Sequence, residues 1–184
     1  MRKLIAAINM TLDGYCDHTA MIPDEELHQH YSDLLRSAGA LIYGRITYQL
    51  MESHWPSVVK KPTGIRSMDE FALAIDDIQK IVFSRTLKEV GWKNVSLKKE
   101  VTKDGILDLK RQPGKDMLVG SPGLIVALAQ LGLVDEFQLG LQPTVVGSGL
   151  PLFKGIKERM DLKLLWTKAF GCGAVIHCYE PAKA

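Results

Sequence analysis

The sequence predicts a three-layer α/β/α domain whose central sheet is mostly parallel, with an antiparallel C-terminal edge. Three observations lead there. Apolar runs such as Leu4-Ile5-Ala6-Ala7-Ile8 and Ala40-Leu41-Ile42-Tyr43 lack the polar alternation of a half-exposed sheet, as strands covered on both faces do. Helical stretches alternate with such runs through the first two-thirds of the chain. The last third reads as strand, loop, strand, strand, which adds antiparallel neighbours. The 184 residues fit one domain spanning residues 1–184, and a chain of this size buries roughly 70% of its unfolded surface.

Residues 4–8 form the first predicted strand, followed by a loop over residues 9–22 with a turn at Asp13-Gly14. Pro23-Asp24 opens a helix whose apolar face is Leu27, Tyr31, Leu34, Leu35 and Ala38, and Gly39 stops it. Ala40–Tyr43 is the second strand. A helix starts near Thr47 and ends before Pro56, whose ring and missing N–H oppose continuation. Residues 57–65 read as a surface loop. Ser67-Met68-Asp69-Glu70 has the spacing of a capping box for the next helix. Strands follow at 80–84 and around 95–97, then a helix over 100–111. Strand 117–120, helix 124–131 and strand 137–142 complete the alternating part, before strands 162–170 and 174–179.

Composition narrows function by exclusion. A net charge of +2 without a Lys/Arg cluster argues against a nucleic-acid or membrane-surface partner. No run of eighteen apolar residues and no signal-peptide pattern is present. Cys16, Cys172 and Cys178 have no C-x-x-C spacing, so neither a disulfide framework nor a zinc knuckle is expected. His28 and His30 splay apart at i, i+2 on a helix, and no metal is expected. A cytoplasmic protein acting on a small molecule is the reading that remains.

The strand ends carry the chemistry. Gly120-Ser121-Pro122-Gly123, between a strand and the helix at Leu124, lets backbone N–H groups and a helix N-terminus approach a phosphate. Any βα turn carries such residues, so alone this is ambiguous. Gly44-Arg45-Ile46-Thr47 ends another strand where open α/β sheets bind ligands, and Arg offers a forked donor to phosphate. An arginine at a surface turn is its ordinary alternative. Ser84-Arg85-Thr86 repeats the pattern at a third strand end. A charge-assisted contact contributes roughly 1.5–3 kcal/mol. Two such arginines favour a dinucleotide with an extra phosphate by one to two orders of magnitude or more. The fourth candidate, Thr144 to Phe153, places Gly147-Ser148-Gly149 ahead of Pro151-Leu152-Phe153, and reads either as a ligand-facing turn or as a connector.

Taken in order, Thr11-Leu12-Asp13-Gly14-Tyr15, Gly44-Arg45…Thr47-Tyr48, Phe83-Ser84-Arg85, Gly120-Ser121, Gly132-Leu133-Val134-Asp135-Glu136 and Pro143…Gly147-Ser148-Gly149…Leu152-Phe153 resemble the dihydrofolate-reductase-like superfamily. The resemblance is closest to the branch holding the C-terminal reductase domain of RibD-type riboflavin-biosynthesis proteins, and runs from about residue 3 to residue 179. It implies NADPH as cofactor. Ala7 and the loop Leu12–Gly14 would line the nicotinamide. Gly44, Arg45 and Thr47 would hold the adenosine-side phosphates, Ser84 and Arg85 the adenosine and its 2′-phosphate. Gly120, Ser121, Pro122, Gly123 and Leu124 would take the pyrophosphate. A homodimer is implied as well.

The chain departs from that pattern at the acid–base position. Dihydrofolate reductases carry an acid on the first helix, where this chain has His28, with Asp24 one turn earlier. Asp13, Asp24 and His28 are the candidates for handling the proton that accompanies hydride transfer. Asp24 also reads as a helix cap, and His28 as a solvated flank residue. Two functions follow: an NADPH-dependent reductase of a pterin-like or aminouracil ribose phosphate-like heterocycle, or a dimeric small-molecule-binding protein of the same fold without catalysis.

Overall fold

The computed structural model describes residues 1–21 and 23–182. Its strands and helices follow the order β1 (Leu4–Thr11), α1 (Glu25–Ser37), β2 (Ala40–Gly44), α2 (Arg45–Lys60), α3 (Arg66–Asp77), β3 (Gln79–Phe83), β4 (Val95–Lys98), α4 (Lys103–Arg111), β5 (Met117–Val119), α5 (Pro122–Gln130), β6 (Glu136–Gln142), β7 (Leu162–Ala169) and β8 (Val175–Pro181). The strands form one sheet in the order β4-β3-β2-β5-β1-β6-β8-β7. β1 to β6 pair in parallel, and β8 runs antiparallel to both β6 and β7. This is the expected three-layer fold.

Alternate residues of the buried strands feed two cores. Leu4, Ala6, Ile8, Ile42 and Val119 pack with Ile106 and Leu109 of α4 and Ile125 and Leu128 of α5. On the opposite face Ile5, Leu41, Tyr43, Val82 and Leu118 meet α1, α2 and α3 through Leu35, Tyr48 and Ile75. α1 also reaches the antiparallel edge, where Leu27 packs on Phe170, Ala174 and Ile176.

Several boundaries differ from the sequence reading. β1 runs on to Thr11 because its register with β6 continues to Thr11 opposite Gln142. α2 does not stop before Pro56; it passes through it to Lys60. An interior proline costs a helix about 3 kcal/mol, and tertiary packing on both sides of it holds the helix: Trp55, just before it, meets the Phe71 ring at 4.5 Å in a tilted arrangement, and Val58, just after it, is buried. Ser67 and Glu70 form no capping box, since α3 starts one residue earlier, at Arg66, and has no side-chain cap. α4 starts at Lys103, where the Thr102 side chain accepts from Gly105 N. A Cβ at residue 105 would sit 2.9 Å from that oxygen, which accounts for the glycine in the first turn.

The Leu133-Val134-Asp135-Glu136 motif builds scaffold. Asp135 Oδ2 accepts from Leu4 N at 2.6 Å and from Lys110 Nζ at 2.6 Å. It therefore joins the start of β1 to the end of α4. Glu136 pairs with Lys3.

Candidate functional site

The loops leaving β3, β2, β5 and β1 follow one another along one edge of the sheet, because that is the strand order. The register pairs Gly44 with Phe83, so Arg45 and Ser84 leave adjacent strands side by side. It also pairs Ala6 with Val119, which brings Ala7 against Gly120. A Cβ on Gly120 would lie 3.5 Å from the Ala7 carbonyl and 3.5 Å from the Tyr43 ring. Ala7 itself is only half-buried in the middle of a central strand, and Leu12 is 63% exposed.

At the centre of this edge two helices begin next to each other. α2 has Gly44 as N-cap and α5 has Ser121, with Pro122 in its first turn, and neither helix has a side-chain cap. Ser121 is turned away from its own helix: its Oγ accepts from Gly44 N at 2.9 Å. That bond ties the two βα turns together, so the uncapped first turns of both helices start beside it. Leu124 lies over the same turn, within van der Waals reach (3.7 Å) of a Cβ placed at Gly44. Arg45 donates to Gln49 and is exposed, as is Arg85. Thr47 sits half-buried in the first turn of α2. Ser84 Oγ accepts from Thr86 N and Leu87 N, which shapes the turn carrying Arg85. Paired helix N-termini and two forked cations present a donor set suited to a polyphosphate.

The three acid–base candidates do not form one cluster. Asp13 opens on a cleft of about 700 Å³ with Tyr15, Gly149 and Phe153. Its carboxylate accepts from Thr11 Oγ1 at 2.6 Å, Gly147 N at 2.7 Å and Val146 N at 3.3 Å. The Thr11 bond, with the two backbone donors, holds it below the ordinary carboxylate range. Asp13 thus clamps the loop after β1 to the Gly147 turn. Asp24 caps α1 through Leu27 N at 2.8 Å, and its other oxygen accepts from Cys172 N at 2.8 Å. These bonds, Leu27 first, depress its pKa as well. His28 lies four residues along α1, buried and beside Phe71 of α3.

Burial pushes the His28 ring below its usual 6.5, against the pull of Asp24. His30, among Tyr31, Trp166 and Phe170, is pushed down in the same way, with Lys168 adding to the effect. An unfolded imidazole takes its proton near pH 6.5, so just below that pH the unfolded chain holds more protons than the folded one. Stability present above pH 6.5 is therefore expected to fall as the pH drops through the folded values. Urea midpoints at pH 7.5 and 5.5 check this, and His28→Gln/His30→Gln is expected to flatten the difference.

One polar group bridging three elements has little sequence signal. Asn9 Oδ1 accepts from Tyr31 Oη at 2.7 Å and from Gln142 Nε2 at 2.9 Å, joining β1, α1 and β6. The only hint is that Asn9, Gln138 and Gln142 interrupt otherwise apolar strands on one face.

The family model of the RibD C-terminal domain matches residues 2–176. The uncharacterized protein YyaP of Bacillus subtilis (strain 168) is 32% identical over 187 residues, 97% of this chain and 95% of the relative. A Shewanella sp. PV-4 structure ascribed to riboflavin biosynthesis superposes with a TM-score of 0.75 at 19% identity, covering 100% of both chains. Dihydrofolate reductase from Enterococcus faecalis, complexed with NADP(H) and RAB-propyl, superposes with a TM-score of 0.64 at 12% identity, covering 98% of this chain and 97% of that one. The two structural likenesses show a dihydrofolate-reductase-like fold.

Proposed function

The chain belongs to the RibD C-terminal domain family, and from that membership we propose that it is an NADPH-dependent reductase of a small heterocyclic substrate. The observation that carries this reading is the pair of uncapped helix N-termini, α2 and α5, tied by the Ser121–Gly44 bond. Backbone donors at Ser121, Gly123 and Leu124 hold the pyrophosphate, with Gly120 and Pro122 shaping the turn. Gly44, Arg45 and Thr47 hold the adenosine-side phosphate. Ser84 and Arg85 take the adenosine and its 2′-phosphate. Ala7, Leu12 and Gly14 line the nicotinamide. Bound there, NADPH supplies the hydride, and the chain binds, orients and excludes water around it.

Asp13 and Asp24 are ionised and occupied by backbone donors, so their proposed part is to hold the loops that shape the pocket. His28 has no hydrogen-bond partner on its ring among the described residues, and is proposed to pass the proton. The substrate is pterin-like or aminouracil ribose phosphate-like, and family membership supports a homodimer in the cytoplasm. A binding protein without catalysis is the second reading, favoured by the engagement of both carboxylates. NADPH and NADH titrations followed by nicotinamide fluorescence test the cofactor. Arg45→Ala and Arg85→Ala are each expected to weaken NADPH about tenfold and NADH less. Equal losses for both nucleotides would remove the 2′-phosphate role, and no binding of either would sink the reductase. Turnover of bound NADPH with candidate heterocycles separates it from the binding protein.

A further inference from the structure

β3 ends at Phe83 and β4 begins at Val95, so residues 84–94 join two adjacent parallel strands without a helix or strand of their own. Arg85 stands exposed near the start of this connection. We propose that Glu52 of α2 is a positioning residue for Arg85: by pinning the connection to α2, it sets the preference for a nucleotide that carries a 2′-phosphate. The inference rests on the cofactor reading above, because Arg85 is the group that would meet that phosphate.

The pin is a hydrogen-bond junction between α2 and the far end of the connection. Glu52 Oε1 accepts from Tyr48 Oη, one turn earlier on the helix, and from Gly91 N at 2.7 Å. Trp92 N donates in turn to Tyr48 Oη at 3.3 Å. Tyr48 and Trp92 are both buried, which strengthens these bonds against competing water. A Cβ at residue 91 would lie 3.1 Å from Glu52 Oε1, so glycine lets the backbone come this close. The Trp92 indole is held separately. Its Nε1 donates to Asp76 Oδ1 near the end of α3 at 2.7 Å, and Lys80 Nζ of β3 lies 4.3 Å from the ring centroid. Between the two ends, Leu87 and Val90 pack against the core that Tyr48 belongs to.

α2 thereby serves both parts of the nucleotide edge. Arg45, Tyr48 and Glu52 stand at i, i+3 and i+7, so the first turn and the clamp on the connection belong to one rigid helix. Ser84 Oγ fixes the near end by accepting from Thr86 N and Leu87 N. With both ends fixed, Arg85 has less backbone freedom to lose on pairing with a phosphate, and binding carries less ordering cost. The charge of Glu52 works in the opposite sense, since a carboxylate repels a phosphate. A favourable effect of Glu52 on NADPH therefore has to come through geometry.

The test measures NADPH and NADH dissociation constants of the full chain and its variants by nicotinamide fluorescence, below the melting midpoint of each. Glu52→Ala is expected to weaken NADPH about fivefold and to leave NADH within about twofold. Glu52→Gln keeps an oxygen for Gly91 N and Tyr48 Oη and is expected to retain the wild-type ratio. Gly91→Ala crowds that oxygen and is expected to move the ratio in the same direction as Glu52→Ala, by less. In an Arg85→Ala background, Glu52→Ala is expected to change neither affinity, because the residue it positions is gone. A ratio unmoved by Glu52→Ala, equal losses for both nucleotides, a loss that persists without Arg85, or tighter NADPH in both Glu52 variants overturns the inference and leaves the cofactor reading standing. No nucleotide bound to the wild-type chain overturns both.

Discussion

Asp135→Ala is expected to destabilise the protein by about 2–4 kcal/mol and to lower Tm by roughly 5–10 °C. One carboxylate oxygen serves two partners, Leu4 N and Lys110 Nζ, each at 2.6 Å. The Lys110 side chain is 6% exposed, and without Asp135 its ammonium retains, among the described residues, only the Leu133 carbonyl at 3.1 Å. Removing one partner of a buried ion pair costs 3–5 kcal/mol as a rule; the value here is lower because Asp135 is 36% exposed on its side chain. Replacing both charges removes the unpaired ammonium. Lys110→Met/Asp135→Ala is therefore expected to recover part of the loss, with the unpaired Leu4 N–H accounting for the remainder. Thermal melts and denaturant midpoints of the three variants measure it. A loss below about 0.5 kcal/mol in Asp135→Ala would remove this pair from the account.

Gly140→Ala is expected to cost a similar amount, about 2–4 kcal/mol. The reason is space, not backbone conformation. A Cβ at residue 140 would be driven into Asn9 Oδ1 and would lie 2.7 Å from Tyr31 Oη. Those two atoms are hydrogen-bonded to each other, and Gln142 donates to the same oxygen. The methyl group must push the pair apart, which leaves buried polar groups unpaired and lifts α1 from the sheet. A denaturant midpoint measures the loss, and an unchanged midpoint would contradict it.

The architecture was legible because buried strands and amphipathic helices have different periods, and the antiparallel edge because its strands follow one another without helices. The strand-end loops were legible for the same reason: Gly44, Ser84 and Gly120 each follow an apolar run directly. What periodicity does not encode is which strand lies beside which. β5 inserts between β2 and β1, and only that order brings Ser121 to Gly44. Local rules also yield to tertiary packing. Pro56 sits inside a helix because Trp55 just before it and Val58 just after it are held by packing. Ser67 matches a capping box in spacing, yet lies inside the first turn with Asp69 facing away.

The side-chain roles were the least legible part. Asp24 was open between a cap and an acid, and the structure gives its oxygens to Leu27 N and Cys172 N, a partner 148 residues away. Asp13 similarly reaches a turn 134 residues on. Long-range backbone partners of this kind leave no trace in spacing. The Leu-Val-Asp-Glu motif stands out in the sequence, and its Asp135 and Glu136 pair with Lys110 and Lys3 in the scaffold.

The central claim is that the edge formed by β2, β5 and β1 is built for a nicotinamide dinucleotide. A crystal structure of the full chain with NADPH tests it most directly. The account predicts pyrophosphate oxygens within hydrogen-bond distance of first-turn amides of α2 and α5, the 2′-phosphate beside Arg45 or Arg85, and the nicotinamide against Ala7. A nucleotide seated away from the Ser121–Gly44 bond, or none bound at saturating NADPH, would contradict it.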